Sequence, residues 1–453
     1  MLQRILQTLL IDRTLFYALA ARIWQAISGP ITISLVIASL SAKEAGIYYG
    51  LSAVVGIQVF FDLGLLNILI SRAAHAGSDF SDRLQLGQSN ASETSDRDIQ
   101  FARMADLIRG SERWFLGTSL LFCVTALAFG WVTLSRTDTP LAWKSVLVTM
   151  VVLATCSFAL APYQAILEGI GKRELIYRLR FYQAITGSMV VWFALGTGMK
   201  IWSLALATGV QLLWLLYLRY IHEADFFSSF KKTKSGTSDF SWFREIVPLQ
   251  WRLAFVSLVY FLATQFFVLI VLYFDSDIAA GQLGMTLTIA GAIQMFALAW
   301  VQTNFSTTSL QHGIGNREAA GIHWRKVAAV STTILTLAFA AFVFGLLLLP
   351  YLERGLENRF VTPWQLGIYA VGCIANHFIA IQSYYVLSRR GRPFMITMVI
   401  GYLSTAFAVW IGGAFHGTHG LLLNYTMMIV LVCLPLHTWA YLYFRKTDAA
   451  SFA

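Results

Sequence analysis

The sequence predicts an all-α polytopic membrane protein with about twelve transmembrane helices. Of its 453 residues, 57% are hydrophobic and only 12% are charged, and the mean hydropathy is +0.64. A soluble globular protein carries about 25% charged residues, so a water-soluble fold of this composition would expose far too much apolar surface. The composition therefore excludes a soluble enzyme, a nucleic-acid-binding domain and a disordered scaffold, in spite of the net charge of +10.

Twelve segments are long and apolar enough to cross a bilayer, which requires about 20 residues of α-helix. Before the first of them, apolar side chains recur at helical spacing between Leu2 and Leu10, which predicts a short interfacial helix rather than a cleaved signal peptide. The twelve predicted spans are 14–40, 45–71, 114–134, 143–167, 175–196, 201–220, 246–273, 279–308, 327–349, 364–387, 393–414 and 419–443.

The distribution of basic residues predicts the orientation. With the N-terminus placed in the cytoplasm, 25 of the 33 lysines and arginines fall in inner segments and 6 in outer loops. The positive-inside rule therefore predicts that both termini are cytoplasmic. This topology accounts for most of the basic charge, so no nucleic-acid partner is required. The four cysteines lie in apolar runs without metal-ligand spacing and are predicted to be reduced, with no metal site: Cys123, Cys156, Cys373 and Cys433.

A weak internal repeat divides the chain into two halves. The segment Leu40–Gly46 resembles Phe274–Gly281, and Ile170–Lys172 resembles Arg390–Arg392. Six spans in each half would relate the halves by a pseudo-two-fold axis along the membrane normal. The sequence thus predicts an N-terminal lobe, a cytoplasmic linker and a C-terminal lobe over residues 1–222, 223–245 and 246–453.

Three charged residues lie clearly in the middle of the membrane, where a charge costs a few kcal/mol and usually marks function. Arg22 follows Arg13 by nine residues, which places it roughly 13 Å into the membrane, and Asp62 lies roughly 15 Å from the same face. Arg252 lies in the seventh span, which begins the second half as the first span begins the first half. These three residues are the leading candidates for a substrate site.

Helical spacing adds polar neighbours to two of these charges. Gln25 follows Arg22 by three residues, and Gln58 precedes Asp62 by four, so each pair shares a helix face. We expect these faces to line an aqueous cavity. Arg22 and Asp62 could form a structural ion pair, or Asp62 could bind a coupling cation such as H⁺ or Na⁺. Arg252 could attract an anionic substrate, since guanidinium geometry suits phosphate, or snorkel to the cytoplasmic face.

Weaker candidates are aromatic or uncharged. Trp24 could stack on a sugar ring, although tryptophans in membrane proteins mostly serve packing or interfacial roles. Asn376 and Tyr384 belong to a span that is more polar than packing demands. Glu168 and Lys172 are predicted to form a surface pair one helical turn apart.

Short motifs in three spans resemble a known family. They are Ala45–Leu51 with Phe61–Leu65, Pro162–Lys172, and Asn376–Arg392. With them, the chain resembles the Wzx-type O-antigen flippases of the multidrug/oligosaccharidyl-lipid/polysaccharide flippase superfamily. The resemblance covers the whole chain by topology, but its motifs are short and loose.

The resemblance implies an alternating-access carrier in the bacterial inner membrane, which moves polyprenyl-pyrophosphate-linked oligosaccharide between the leaflets. It implies other polysaccharide assembly proteins as partners, and arginines early in the first and seventh spans, where Arg22 and Arg252 lie. A cation-coupled drug or small-molecule antiporter of the same superfamily is the alternative. A multi-spanning polymerase or glycosyltransferase is less favoured, because the sequence shows no catalytic motif and no large outer loop.

Overall fold

The computed structural model consists of α-helices joined by short connections. It describes residues 13–62, 64–74, 93–137, 142–231, 242, 246–313, 316–352, 355–389 and 395–450. Within these ranges no β-strand occurs.

Sixteen α-helices follow one another along the described chain. Short π-helical turns, Leu218–His222 and Ile429–Cys433, extend the eighth helix and precede the last one. The helices are α1 Arg13–Ser39, α2 Ala42–Gly56, α3 Gln58–Asp62, α4 Leu65–Ala74, α5 Glu93–Leu134, α6 Trp143–Gly169, α7 Arg173–Gly196, α8 Trp202–Tyr217, α9 Ala224–Lys231, α10 Val247–Thr264, α11 Phe267–Phe274, α12 Asp277–Gly313, α13 Arg317–Leu352, α14 Pro363–Ser388, α15 Met395–Met428 and α16 Leu434–Ala450.

The helices account for the predicted membrane spans. By length and composition, nine helical stretches in the described chain can cross a membrane, and the bent pair α10–α11 makes a tenth. The predicted span 175–196 falls in α7, which has 24 residues and a more polar first half. The last stretch, Met395–Lys446, is about twice as long as a span needs and bends at Gly417, whose φ of 57° departs from the helix. It is therefore long enough for the two predicted spans 393–414 and 419–443.

Several helices differ from their predicted bounds. Hydropathy marks only 114–134 as a span, whereas α5 has 42 residues, about 63 Å at the helical rise. The predicted span 45–71 is divided into α2, α3 and α4, and the predicted span 246–273 is bent by 49° between α10 and α11. Glycine and polar residues inside membrane helices are tolerated, so the hydropathy pattern does not report these breaks.

The chain forms two compact units by its own contacts. The first contains Met1–Ser39, Val54–Val132 and Pro140–Ser257, and the second contains Leu40–Ala53, Thr133–Thr139 and Leu258–Ala453. The predicted boundaries at 222 and 245 stay a prediction. Of the predicted linker, residues 224–231 form α9, whereas 232–241 and 243–245 lie outside the described residues.

In the first unit, α7 packs against both α1 and α8, and α8 also packs against α6. The rings of Phe115 and Phe122 meet the ring of Phe158 edge-on, and all three side chains are fully buried. Aromatic contacts also join α1 to α7, where the ring of Tyr17 lies beside that of Phe181 and the ring of Trp24 lies tilted against that of Trp192.

In the second unit, α14 is central, because it packs against α12, α13, α15 and α16. Its start is fixed by a capping box: the Thr362 hydroxyl accepts from the Gln365 backbone N–H, and the Gln365 amide oxygen accepts from the Thr362 N–H. Pro363 occupies the first helical position, where its missing N–H has no cost.

Candidate substrate site

The first unit presents a polar stripe on α1. Arg22 and Gln25 are exposed, in the third and fourth turns of a helix that begins at Arg13. At Gly29, one turn further on, a side chain would meet no atom within 4 Å. The face of α1 that carries Arg22 and Gln25 is therefore open rather than packed, and Ile23 and Ile27 on the same helix are exposed as well.

Trp24 lies on the side of α1 that faces α7. Its indole N–H lies 3.3 Å from the Ala184 carbonyl oxygen and 3.2 Å from the Ser188 hydroxyl, which share this donor. Its ring lies 5.8 Å from the ring of Trp192. In the structure, Trp24 thus contributes to packing between α1 and α7.

Asp62 ends α3 beside a break in the helix. Its carboxylate accepts the Leu66 backbone N–H at 3.2 Å, and Gly64 between them has a φ of 71°, which glycine adopts without strain. Asp62 and Gln58 are both half-buried. Among the described residues, no lysine, arginine or histidine forms an ion pair with Asp62. A half-buried carboxylate at a helix break has oxygen atoms suited to binding a cation.

Arg252 lies in the second turn of α10, and its side chain lies outside the described residues. Its helix belongs to the first compact unit up to Ser257 and to the second from there on. The structure therefore fixes the position of Arg252 along the helix only.

The polar residues of α14 each bond to a different neighbouring helix. Tyr402 of α15 donates its hydroxyl to the Asn376 side chain at 2.8 Å, and Gln302 of α12 donates to the Tyr384 hydroxyl at 3.0 Å. Two further side-chain hydrogen bonds join α14 to its neighbours, His377 to Ser331 of α13 at 3.1 Å and Gln382 to Thr438 of α16 at 2.9 Å. Asn376 and Tyr384 are half-buried, so each has a protein partner and a partly accessible surface.

A charged cluster between the middle of α5, the end of α6 and the π-helical turn after α8 was not predicted. Arg219 is 5% exposed, and its guanidinium lies 4.6 Å from the ring centre of Tyr163 and 4.7 Å from that of Phe227. The Tyr163 hydroxyl donates to the Glu112 carboxylate at 2.6 Å. In the sequence, Arg219 is one of the inner basic residues, and no local spacing brings it together with Tyr163, 56 residues earlier.

The predicted surface pair of Glu168 and Lys172 is wrong. Glu168 is buried and pairs with Arg180 at 2.9 Å, while Lys172 pairs with the buried carboxylate of Glu223. The helix ends at Gly169 and the chain turns at Gly171, so the two residues do not share one helix face. The prediction assumed that one uninterrupted helix continues from Glu168 to Lys172, and the structure has a turn there instead.

Metal-binding side chains do not cluster in the described part of the chain. No group of three or more histidine, cysteine, aspartate or glutamate residues is arranged there to hold a metal ion. The four cysteines are free.

Solved structures with a similar fold indicate the class of protein to which this fold is common. Twenty-two chains among solved structures match, and those described below are transporters and flippases of the multidrug/oligosaccharidyl-lipid/polysaccharide superfamily. The all-α polytopic fold with two six-helix lobes is thereby confirmed. No family model matches the sequence, and no curated protein matches it.

Three solved structures represent these neighbours. A multidrug resistance MATE family transporter in its inward-facing conformation matches with a TM-score of 0.62 and 12% identity, over 96% of this chain and 99% of that one. The lipid II flippase MurJ, in an inward closed conformation, matches with a TM-score of 0.61 and 14% identity, over 94% of this chain and 87% of that one. A mutant of the Vibrio cholerae MATE transporter VcmN matches with a TM-score of 0.56 and 13% identity, over 96% of each chain. At such low identities these matches show the fold alone.

Proposed function

We propose that this protein is a flippase, which moves polyprenyl-pyrophosphate-linked oligosaccharide across the bacterial inner membrane by alternating access. Both termini would be cytoplasmic, the bilayer itself would supply the lipid substrate, and other polysaccharide assembly proteins would deliver and receive it. The protein would bind and move this substrate without a catalytic step. The likeness to a lipid II flippase supports the lipid-linked substrate class.

The observation that carries the proposal is Arg22, an exposed positive charge on the same face of α1 as the exposed Gln25. A charge inside a membrane span usually marks function, and a pyrophosphate would offer a guanidinium charge-assisted, bidentate hydrogen bonds. Gln25 on the same open face would add a neutral donor. Arg252, in the first helix of the second half, would add a second positive charge.

Three uncharged residues would complete the proposed site. Asn376 and Tyr384 keep accessible surface beside their protein partners, so their polar atoms could also contact a sugar. Trp24 would act from its packed position by fixing α1 on α7, which holds Arg22 on the open side.

Coupling would use Asp62 with Gln58. The half-buried carboxylate of Asp62 would bind H⁺ or Na⁺ in one conformation of the protein and release it in the other. Such a difference in affinity is required, because only it shifts the populations of the two conformations. No bound cofactor is needed for this step.

A cation-coupled drug antiporter is the second candidate, and one observation favours it. The MATE transporter fold matches with a TM-score similar to that of the flippase, and Asp62 could attract a cationic drug as well as a coupling cation. The charges of the spans distinguish the two: Arg22 and Arg252 favour an anion, whereas Asp62 alone favours a cation.

The deciding experiment uses reconstituted vesicles containing a polyprenyl-pyrophosphate oligosaccharide. Periodate, which does not cross the bilayer, oxidises only glycan that has reached the outer leaflet. We expect Arg22→Gln to slow flipping roughly tenfold or more, the effect of losing a hydrogen bond to a charged group. Arg22→Lys should retain part of the rate, since it keeps the charge without the planar fork.

The matched control is Lys326→Gln, which removes an exposed positive charge from α13. We expect it to flip glycan at the wild-type rate. A wild-type rate for Arg22→Gln would refute the anionic site. Uptake of a cationic dye driven by a cation gradient, without glycan flipping, would establish the antiporter.

A further inference from the structure

Two arginines and two tyrosines form a cluster where α14 and α16 pack together. The ring centres of Tyr385 and Tyr441 lie 5.6 Å apart, with the ring planes at 73°. The Arg389 guanidinium lies 5.7 Å from the ring centre of Tyr385, and the Arg445 guanidinium lies 5.8 Å from that of Tyr441. We call these four residues the arginine–tyrosine cluster. All of them belong to the second compact unit.

The cluster rests on aromatic side chains of two further helices. Tyr385 is buried, and its ring centre lies 6.1 Å from that of Trp324 in α13 and 5.4 Å from that of His312 in α12. Tyr441 packs against the same buried group. The tyrosine rings are therefore held in place by packing, and they fix the positions of the two guanidiniums beside them.

The positive charges of the cluster lie close to one hydroxyl group. Arg389 and Arg445 both act electrostatically on the Tyr441 hydroxyl. A cation–π contact attracts a guanidinium without neutralising it, so the two like charges repel each other. Among the described side chains, no carboxylate forms an ion pair with Arg445. Arg445 is exposed and Arg389 is half-buried, so an anion could reach both and remove the repulsion.

The cluster lies just beyond the apolar parts of its two helices. The predicted spans end at 387 and 443, so Arg389 and Arg445 each follow a span by two residues, about 3 Å at the helical rise. On α16, the exposed rings of Trp439 and Tyr443 stack with their centres 6.0 Å apart. Exposed tryptophan and tyrosine are enriched at the membrane–water interface. The two arginines therefore lie at the depth of lipid headgroups, on the side predicted to be cytoplasmic.

We propose that the arginine–tyrosine cluster binds the phosphate headgroup of an anionic phospholipid of the inner leaflet. Two guanidiniums offer a phosphodiester charge-assisted hydrogen bonds, and basic pockets between membrane helices on the cytoplasmic side bind anionic headgroups. The half-buried Tyr441 adds an uncharged hydroxyl between them. The lipid is a bound ligand rather than the molecule transported, so this site does not depend on the proposed function.

The experiment measures lipid binding to the purified protein by native mass spectrometry. The protein in neutral detergent is titrated with phosphatidylglycerol, or with phosphatidylcholine, whose headgroup has no net charge. The intensities of the lipid-free and singly bound species give a dissociation constant for the first lipid. We expect wild type to bind phosphatidylglycerol roughly tenfold or more tightly than phosphatidylcholine, because two arginines attract the anionic headgroup.

Removing the two charges should remove this preference. We expect Arg389→Gln/Arg445→Gln to weaken phosphatidylglycerol binding roughly tenfold or more. Arg389→Lys/Arg445→Lys should retain part of the affinity, since it keeps the charges without the planar forks. The matched control is Arg173→Gln, which removes an exposed charge from the start of α7 on the same predicted side. If the double glutamine variant does not fold, Arg445→Gln alone should weaken binding roughly threefold or more.

The outcomes separate a headgroup site from packing and from general attraction. A loss of phosphatidylglycerol affinity in the double glutamine variant, with wild-type affinity in Arg173→Gln and unchanged phosphatidylcholine binding, supports the proposal. Equal affinities of wild type for the two lipids would show that the cluster only packs the helices. Equal losses in the double variant and in Arg173→Gln would show general attraction to a basic surface. Displacement of phosphatidylglycerol by an equimolar amount of inorganic phosphate would show a site for free anions. Each of these last three results overturns the proposal.

Discussion

Replacing Arg219 should destabilise the first compact unit more than replacing an exposed arginine does. Arg219 is 5% exposed, and its guanidinium lies 4.6, 4.7 and 5.2 Å from three aromatic ring centres. A desolvated cation–π contact contributes up to about 2 kcal/mol. Truncating a large buried side chain adds a packing loss of about 2–5 kcal/mol. Because the contacts share one guanidinium, these two losses overlap. We expect Arg219→Ala to lower the free energy of unfolding by about 3–5 kcal/mol.

Two further variants test the cause. Arg219→Lys keeps the charge but loses the planar group that stacks on the rings, so it should cost about as much as Arg219→Ala. Arg219→Met keeps the apolar volume and removes the buried charge. Because such a replacement often has little effect on stability, we expect it to lower the free energy of unfolding by only about 1–2 kcal/mol. The order of the three variants therefore distinguishes stacking from simple filling of space.

The assay is equilibrium denaturation of the detergent-solubilised protein, reported as a free energy of unfolding. Arg113→Ala is the matched control, because Arg113 is exposed on α5 and should change stability by less than about 0.5 kcal/mol. If Arg219→Ala differs from this control by less than about 0.5 kcal/mol, the aromatic cluster does not stabilise the unit as argued.

Further predictions concern packing, coupling and orientation. Trp24→Phe should cost about 1 kcal/mol of stability with an unchanged KM for glycan, since only the indole hydrogen bond is lost; a raised KM at unchanged stability would instead assign the ring to the substrate. Asp62→Asn should insert normally but lose acceleration by a cation gradient; retained coupling would remove Asp62 from that role. In intact cells, an impermeant thiol reagent should label Met199→Cys and spare Ser229→Cys, and the reverse pattern would overturn the topology.

The fold could be predicted from sequence because its main determinant, apolar length, is local. Even the boundary between the last two spans, predicted between 414 and 419, coincides with the bend at Gly417. The lengths of α5 and α12 could not be predicted this way, because their polar ends continue the helix beyond the apolar stretch. Hydropathy detects burial in lipid, whereas helix ends are set by caps and packing.

The candidate site could be predicted only in part, for a similar reason. Spacing along one helix placed Arg22 and Gln25 on the same open face. It gave no information on which neighbour a side chain meets, so the partners of Trp24 on α7 and of Asn376 on α15 required the structure. The buried Arg219 depends on three separate segments of chain, and no pattern within any one of them indicates it.

The repeat is symmetric where α2 and α12 begin and asymmetric further along the same helices. At the offset of 235, Gly46 corresponds to Gly281, but Asp62 corresponds to Ala297, a buried residue within unbroken α12. The carboxylate and the helix break occur in one half only, so a cation bound there would bias that half alone. The transport cycle we propose would accordingly be coupled through a single cation site, rather than one site in each half.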